Sequence, residues 1–239
     1  LVAMGTSVFS TSTPLNTYAT LSGTSMSTPG IAGSLALLVQ RYKELNSNVV
    51  PPSTLIKNIA CNSAHDLGNP GPDYRFGFGR INALNAVRIL EDNRYILGAP
   101  MSTSNISNTV ITVPAGTTRL KVMLSWNDPA AAANANPALI NNLDLTVIEG
   151  ATTTLPGILD RNNPSFNATQ AVDNISNIEQ VTISNPPPGS YTLRVTGTAI
   201  PSGPQDFALS WIIDQPYIEV IYPNGPESFN PGSSEIITW

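Results

Sequence analysis

The chain is short of charge, of cysteine and of histidine. Asp, Glu, Lys and Arg make up only 11% of its 239 residues, with a formal net charge of −5. No basic patch stands out, so a nucleic-acid-binding chain is excluded, and 41% hydrophobic residues exclude a disordered one. Mild acidity points to solubility and to cations rather than to a specific partner. The single cysteine, Cys61, rules out an intramolecular disulfide without fixing the redox compartment. No apolar run approaches the roughly 20 residues that span a bilayer. No signal peptide is visible either, but the sequence starts at Leu1 and stops at Trp239 inside a predicted strand. It is expected to be a fragment cut at both ends.

What is present falls into three stretches of different grammar. Residues 1–97 mix helices with short strands. Ile31 to Tyr42 places Ile31, Leu35, Leu38 and Tyr42 on one face, and small residues such as Gly33 and Ala36 elsewhere predict a helix buried nearly all round. Ser53 is expected to cap a helix running through Ile56 to Cys61, and Ala83 to Leu90 predicts a third. Residues 98–214 switch to a period of two. Leu120, Val122, Leu124 and Trp126 alternate with Lys121, Met123 and Ser125, and the same pattern recurs in Leu143–Val147, Tyr191–Val195 and Phe207–Trp211. Short alternating strands between Gly, Pro and Asn clusters predict an antiparallel sandwich or jelly roll. Residues 215–239 predict a strand, a turn and a second strand, too little to bury a core alone, and are expected to open a third β domain.

One string carries chemistry. In "LSGTSMSTPGIAGSLALL" a hydroxyl cluster, Ser22 to Thr28, runs into a long apolar helix. Ser, Thr and Pro at a helix start commonly do no more than cap it. A serine there can also act as a nucleophile, because first-turn N–H groups and the helix dipole favour a developing oxyanion. The string "GTSMSTP" followed by "GIAGSLALL" closely resembles the nucleophile motif of the subtilisin-like serine proteases, the subtilases. "LVAMGTSVFST" before it and "GFGRINALNAV" after it extend the resemblance over residues 1 to about 90. The resemblance implies that Ser25 is the nucleophile and its N–H an oxyanion donor. Gly23, Thr24 and Met26 become its neighbours, and Leu21 and Ser22 lie on the leaving-group side of the cleft. It implies the last third of an α/β parallel-sheet catalytic domain. The Gly-x-Ser-x-Gly elbow fits worse, since Ser27 stands at the second glycine's place.

The same resemblance orders the triad Asp, His, Ser, which puts Asp, His and an oxyanion Asn before Leu1. His65 comes after Ser25 and is read as a surface or loop residue, and Gly30 stands where the family often has a histidine. Residues 98–214 resemble the β-sandwich that succeeds the catalytic domain in some large bacterial subtilases. Some such domains bind calcium, and Asp128, Asn142, Asp144 and Asp173 are candidate oxygen ligands, although turn and Asx-cap roles account for them equally. "YPNGPESFNPGSSEIITW" resembles the start of an immunoglobulin-like module. The expectation is therefore a piece of a secreted bacterial serine endopeptidase, monomeric, acting on polypeptide, with no cofactor required for its chemistry, and inactive as this piece alone. The alternative is a catalytically degenerate relative whose β domains bind glycan or protein.

Overall fold

The computed structural model describes residues 1–216, 221–225 and 227–238. Strands β1 (Val8–Ser12) and β2 (Thr17–Leu21) form an antiparallel hairpin that leads into helix α1 (Thr24–Leu45). Helices α2 (Ser53–Asn62) and α3 (Ala83–Glu91) come next. The remaining strands among the described residues are, in order, β3 (Tyr95–Met101), β4 (Ile106–Val113), β5 (Arg119–Trp126), β6 (Asn142–Glu149), β7 (Thr152–Thr154), β8 (Gly157–Ile158), β9 (Thr169–Gln170), β10 (Ile178–Ser184), β11 (Gly189–Ala199) and β12 (Gln205–Asp214).

Two antiparallel four-stranded sheets dominate, ordered β10-β5-β12-β3 and β4-β11-β6-β7. Their facing residues share one apolar core, in which Val122, Leu124 and Trp126 of the first sheet meet Leu143, Leu145, Leu193 and Val195 of the second. The predicted alternation therefore holds on that face. Its other half differs from expectation: Lys121, Met123 and Ser125 are buried as well. The reason is α2, which packs across β5 and β12 and closes the outer face of the first sheet. Position 97 falls inside β3, which pairs with β12, so the chain passes from helices into this sheet without a linker.

The helices form a second apolar cluster, with Leu38, Tyr42, Leu55, Ile59 and Leu90 meeting Ala208 and Ile212 of β12. Only Leu38 and Tyr42 of α1 are buried, and Leu37 is 60% exposed, so α1 is not covered all round by this chain. Ser53 is the first residue of α2 rather than its cap; Pro52 precedes it with no side-chain cap bond, whereas Asn82 caps α3 by accepting from the Asn85 amide. Among residues 1–94 the strands pair as a hairpin, and parallel pairing is the single bridge Val2↔Arg80. In 215–239 the described pairing is the antiparallel bridge Tyr222↔Thr238. The strand expected across residues 217–220, and Trp239, lie outside the described residues. No helix among the described residues is long and apolar enough to cross a membrane.

Candidate active site

The β1–β2 hairpin delivers Leu21 and Ser22 to the start of α1. Gly23, at φ 152° and ψ 171°, occupies a conformation suited to glycine; its N–H donates to the Gly5 carbonyl at 2.7 Å. A Cβ on Gly5 would stand 2.7 Å from the Gly23 carbonyl oxygen, so both glycines are needed for this close crossing of strand and helix start. Met26 and Ser27 donate to the Gly23 carbonyl at 3.0 and 3.4 Å. The amides of Thr24 and Ser25 come before that first bond, at the positive end of a 22-residue helix.

The hydroxyls of this cluster divide by role. Ser27 and Thr28 donate back to the Thr24 carbonyl at 2.9 and 2.8 Å, and Ser22 Oγ accepts from the Ser7 amide at 2.9 Å. None of them caps α1, which has no side-chain cap bond. Ser25 Oγ and its neighbour Thr24 Oγ1 make no hydrogen bond to any described residue, and both residues are exposed. Pro29 lies within the helix and removes the N–H that would otherwise bond the Ser25 carbonyl. Met26, the next residue, is half-buried. The arrangement is a free hydroxyl beside unengaged backbone donors, the two components that acyl transfer asks of a nucleophile and its oxyanion site.

His65 is not brought to Ser25. Its backbone pairs with Arg80 in both directions, at 2.8 and 2.9 Å, and its side chain is exposed with no hydrogen bond to a described residue. Close backbone contact there explains Gly79, at φ 105°, where a Cβ would collide with the His65 carbonyl oxygen.

The four candidate cation ligands separate into one and three. Asp128 is engaged by backbone, accepting from the amides of Ile140 and Asn141 at 2.8 and 2.7 Å. Asn142 donates to Asn174 Oδ1 at 3.1 Å, next to Asp173, which itself accepts the amides of Ile175 and Ser176. Asp144 accepts from the Thr198 hydroxyl. Burial holds the Asp144 carboxyl above its ordinary range, opposed by the Thr198 hydroxyl and reinforced by Asp173. Sequence reasoning missed the fourth member of this corner, Glu179, only 2% exposed, whose Oε2 accepts the Leu145 amide at 2.7 Å. Burial pushes its carboxyl up to about 9; the Leu145 N–H opposes this, and Asp144 and Asp173 add to it. The signal was available: Glu179 shares its strand parity with Val181 and Ile183, an acid on a core-facing row. Among the described residues no three His, Cys, Asp or Glu side chains stand close enough together to hold a metal ion.

Likeness to known proteins is concentrated around this serine. Residues 1–79 match the subtilase family. This segment is subtilase-like. A longer stretch of the chain is similar to the "Serine protease/ABC transporter B family protein tagA" of Dictyostelium discoideum, 26% identical over 190 residues, covering 71% of this chain and 11% of that protein. Subtilisin DY of Bacillus licheniformis is 38% identical over 82 residues, covering 34% of this chain and 26% of the relative. An "Extracellular serine protease" of Serratia marcescens is 39% identical over 70 residues, or 29% of this chain and 6% of that one. The chain thus spans only 6 to 26% of the length of these three relatives. The family match ends at residue 79, so the two-sheet part, which begins at β3, lies outside it.

Proposed function

We propose that this chain carries the nucleophile of a secreted serine endopeptidase. The observation that carries the reading is Ser25 itself: exposed, unbonded at Oγ, and seated at the first turn of α1 inside a subtilase-like segment. In the proposed reaction Ser25 Oγ attacks the carbonyl carbon of a peptide bond. Its proton passes to a histidine base, oriented by an aspartate, both supplied by chain before Leu1. The Ser25 N–H donates to the oxyanion of the tetrahedral intermediate, together with an asparagine from the same upstream part. Collapse expels the amine, protonated by that histidine, and leaves an acyl group on Ser25 Oγ; water then releases it. Thr24 and Gly23 keep the backbone low beside the scissile bond, and Leu21 and Ser22 border the leaving-group side. The substrate is polypeptide, and no cofactor takes part in the chemistry. Secretion is supported by a relative whose name is "Extracellular serine protease".

The test is covalent labelling of the full-length protein with a fluorophosphonate. One adduct is expected on the natural protein and none on the Ser25→Ala variant. Labelling that persists in the variant removes Ser25 from the mechanism. A folded full-length protein that takes no label on Ser25 while cleaving no peptide supports the degenerate alternative instead.

A further inference from the structure

Proteolysis leaves unexplained a cavity of about 500 Å³ whose lining includes no residue of the Ser25 cluster. Ile178 and Gln180 of β10 contribute to it from the strand parity opposite Glu179 and Val181. One wall is the 72–78 loop of the subtilase-like segment, and the other is β8 with the 172–176 turn. These walls are already fixed to each other. Asn69 Nδ2 donates to the Ser165 carbonyl at 2.9 Å, and a Cβ on Gly157 would stand 3.7 Å from Pro72. Each is also held from within by an aspartate. Asp73 accepts the amides of Asn69, Arg75 and Phe76, and Asp173 Oδ1 accepts those of Ile175 and Ser176 at 2.9 and 3.0 Å. The cavity is therefore built in advance of any ligand.

Its lining is lopsided in charge. Asp73 and Asp173 both border it, and no Lys, Arg or His does. Both oxygens of Asp73 are engaged by backbone, but Asp173 keeps one in reserve. That residue is 7% exposed, and its Oδ2 takes no donor from the described residues. Gln180, 6% exposed, donates from Nε2 to Asn62 Oδ1 at 3.3 Å, and its Oε1 takes no donor either. Neither oxygen is among the buried unpartnered atoms, which are Asn142 Oδ1, Asp144 Oδ1 and Glu179 Oε1. Both therefore retain an opening, and the cavity their residues line supplies it. A carboxylate nine-tenths buried is costly to keep without an ionic partner. Around these two acceptors the lining is largely apolar, with Phe78, Ile158 and Ile178 inside and the exposed Tyr74 and Ile175 at the mouth. Such a site asks for a positive head on an apolar stem.

We propose that this cavity binds an organic cation, a guanidinium or alkylammonium on an apolar stem, with Asp173 Oδ2 as its ionic partner and Gln180 Oε1 as a second acceptor. A guanidinium suits the site better than an ammonium, because it is planar, more weakly hydrated and carries several N–H donors. An anion is opposed by both aspartates. A neutral apolar molecule would leave the Asp173 and Gln180 oxygens without donors and strip them of water. An arginine side chain of a polypeptide and a free alkylguanidine present the same head, and the polypeptide also covers the apolar mouth. Because the walls come from both parts of the chain, a seated ligand would tie the 72–78 loop to the 172–176 turn. The inference does not rest on Ser25 acting as a nucleophile.

The experiment is calorimetric titration of the 239-residue chain with butylguanidinium, with its neutral isostere butylurea, and with the blocked tripeptide acetyl-leucyl-arginyl-leucinamide. One saturable site for butylguanidinium is expected, with Kd about 1 mM or tighter, and butylurea should bind at least about 10-fold more weakly. Asp173→Asn keeps an oxygen for the Ile175 and Ser176 amides and should weaken butylguanidinium at least about 10-fold. Ile175→Lys changes only an exposed residue at the mouth, so it should fold normally and weaken binding similarly by repulsion. A tripeptide at least about 10-fold tighter than butylguanidinium supports the proposal with polypeptide as the source; equal affinities support it with a free alkylguanidine. No saturable binding up to about 10 mM, or butylurea binding as well as butylguanidinium, overturns the proposal. Affinity unchanged in folded Asp173→Asn or Ile175→Lys overturns it equally, by placing the cation elsewhere. Should Asp173→Asn fail to fold, Ile175→Lys decides.

Discussion

Asn58 offers the sharpest test of how the helices and the sheets hold together. It is fully buried on α2, and its amide nitrogen donates to the Met123 carbonyl at 3.0 Å, to Ser125 Oγ at 3.1 Å and to the Ala208 carbonyl at 3.1 Å. Its oxygen accepts from the Ser210 hydroxyl at 2.5 Å. Neighbouring Asn62 donates to the Ser210 carbonyl and hydroxyl and accepts from Gln180. Asn58→Leu keeps the branched outline with somewhat more bulk. It withdraws the two amide hydrogens, shared among three acceptors, and the one acceptor oxygen, three bonding groups in all, leaving the Ser210 hydroxyl and two carbonyls short of a partner. At about 1 kcal/mol for each net hydrogen bond lost, the variant should be less stable by about 3 kcal/mol. For a chain of this size that lowers Tm by roughly 6–12 °C. Asn58→Ala should lose more, because a cavity is added. The assay is urea denaturation monitored simultaneously by tryptophan fluorescence, which reports Trp126 and Trp211 in the sheets, and by far-ultraviolet circular dichroism at the helix band. Both signals should move together to a lower midpoint with unchanged slope. An Asn58→Leu protein within about 0.5 kcal/mol of the natural one would refute the argument, by showing that apolar packing alone docks α2. Separate transitions for the two signals in the natural chain would refute it differently, by showing that helices and sheets unfold independently.

Two further outcomes are expected at buried and crowded positions. Lys121, 5% exposed, donates to the Ala64 carbonyl, and burial lowers its pKa from 10.5 to about 8, with Arg119 adding to the effect and Asp214 and Asp66 opposing it. Between those two values the unfolded chain binds the proton that the folded one has released, so raising the pH should stabilise the natural protein relative to Lys121→Met, by about 2–3 kcal/mol in all. Parallel stability curves for the two proteins from about pH 7.5 to 10.5 would contradict this. Gly79→Ala should destabilise by about 3 kcal/mol or more, since φ 105° and the His65 carbonyl both oppose a Cβ, and an unchanged chemical midpoint would show that the 65–80 bridge yields easily.

How far the sequence disclosed this molecule depends on which force shaped each part. Period-two alternation in β5, β6, β11 and β12 marked the core rows, because a strand has two faces and burial sorts them. The alternation could not show that Lys121, Met123 and Ser125 are covered too, since a lid of α2 above the sheet is a tertiary event with no local signature. The small residues of α1 read as a helix packed on all sides, but this chain supplies neighbours for one side only. At Ser25 the string of residues pointed to the serine, and the structure added that the hydroxyls of Ser22, Ser27 and Thr28 are engaged by backbone while those of Ser25 and Thr24 are not. Glu179 was missed because a lone acid in a strand reads as a solvent-facing position until its parity with Val181 and Ile183 is noticed.

The asparagines beneath α2 bear on how such a protein can be taken apart or recombined. Apolar seams between modules tolerate new partners, since any greasy surface of similar shape will do. The seam here is addressed instead: Asn58 and Asn62 need Ser210, Gln180 and the Met123 and Ala208 carbonyls at fixed heights on β5, β10 and β12. A chain divided near residue 97 would leave polar sockets open on one piece and bare amides on the other. Grafting these sheets onto a different scaffold would therefore require α2 to travel with them, making the helix, for purposes of exchange, a part of the sheets' cargo.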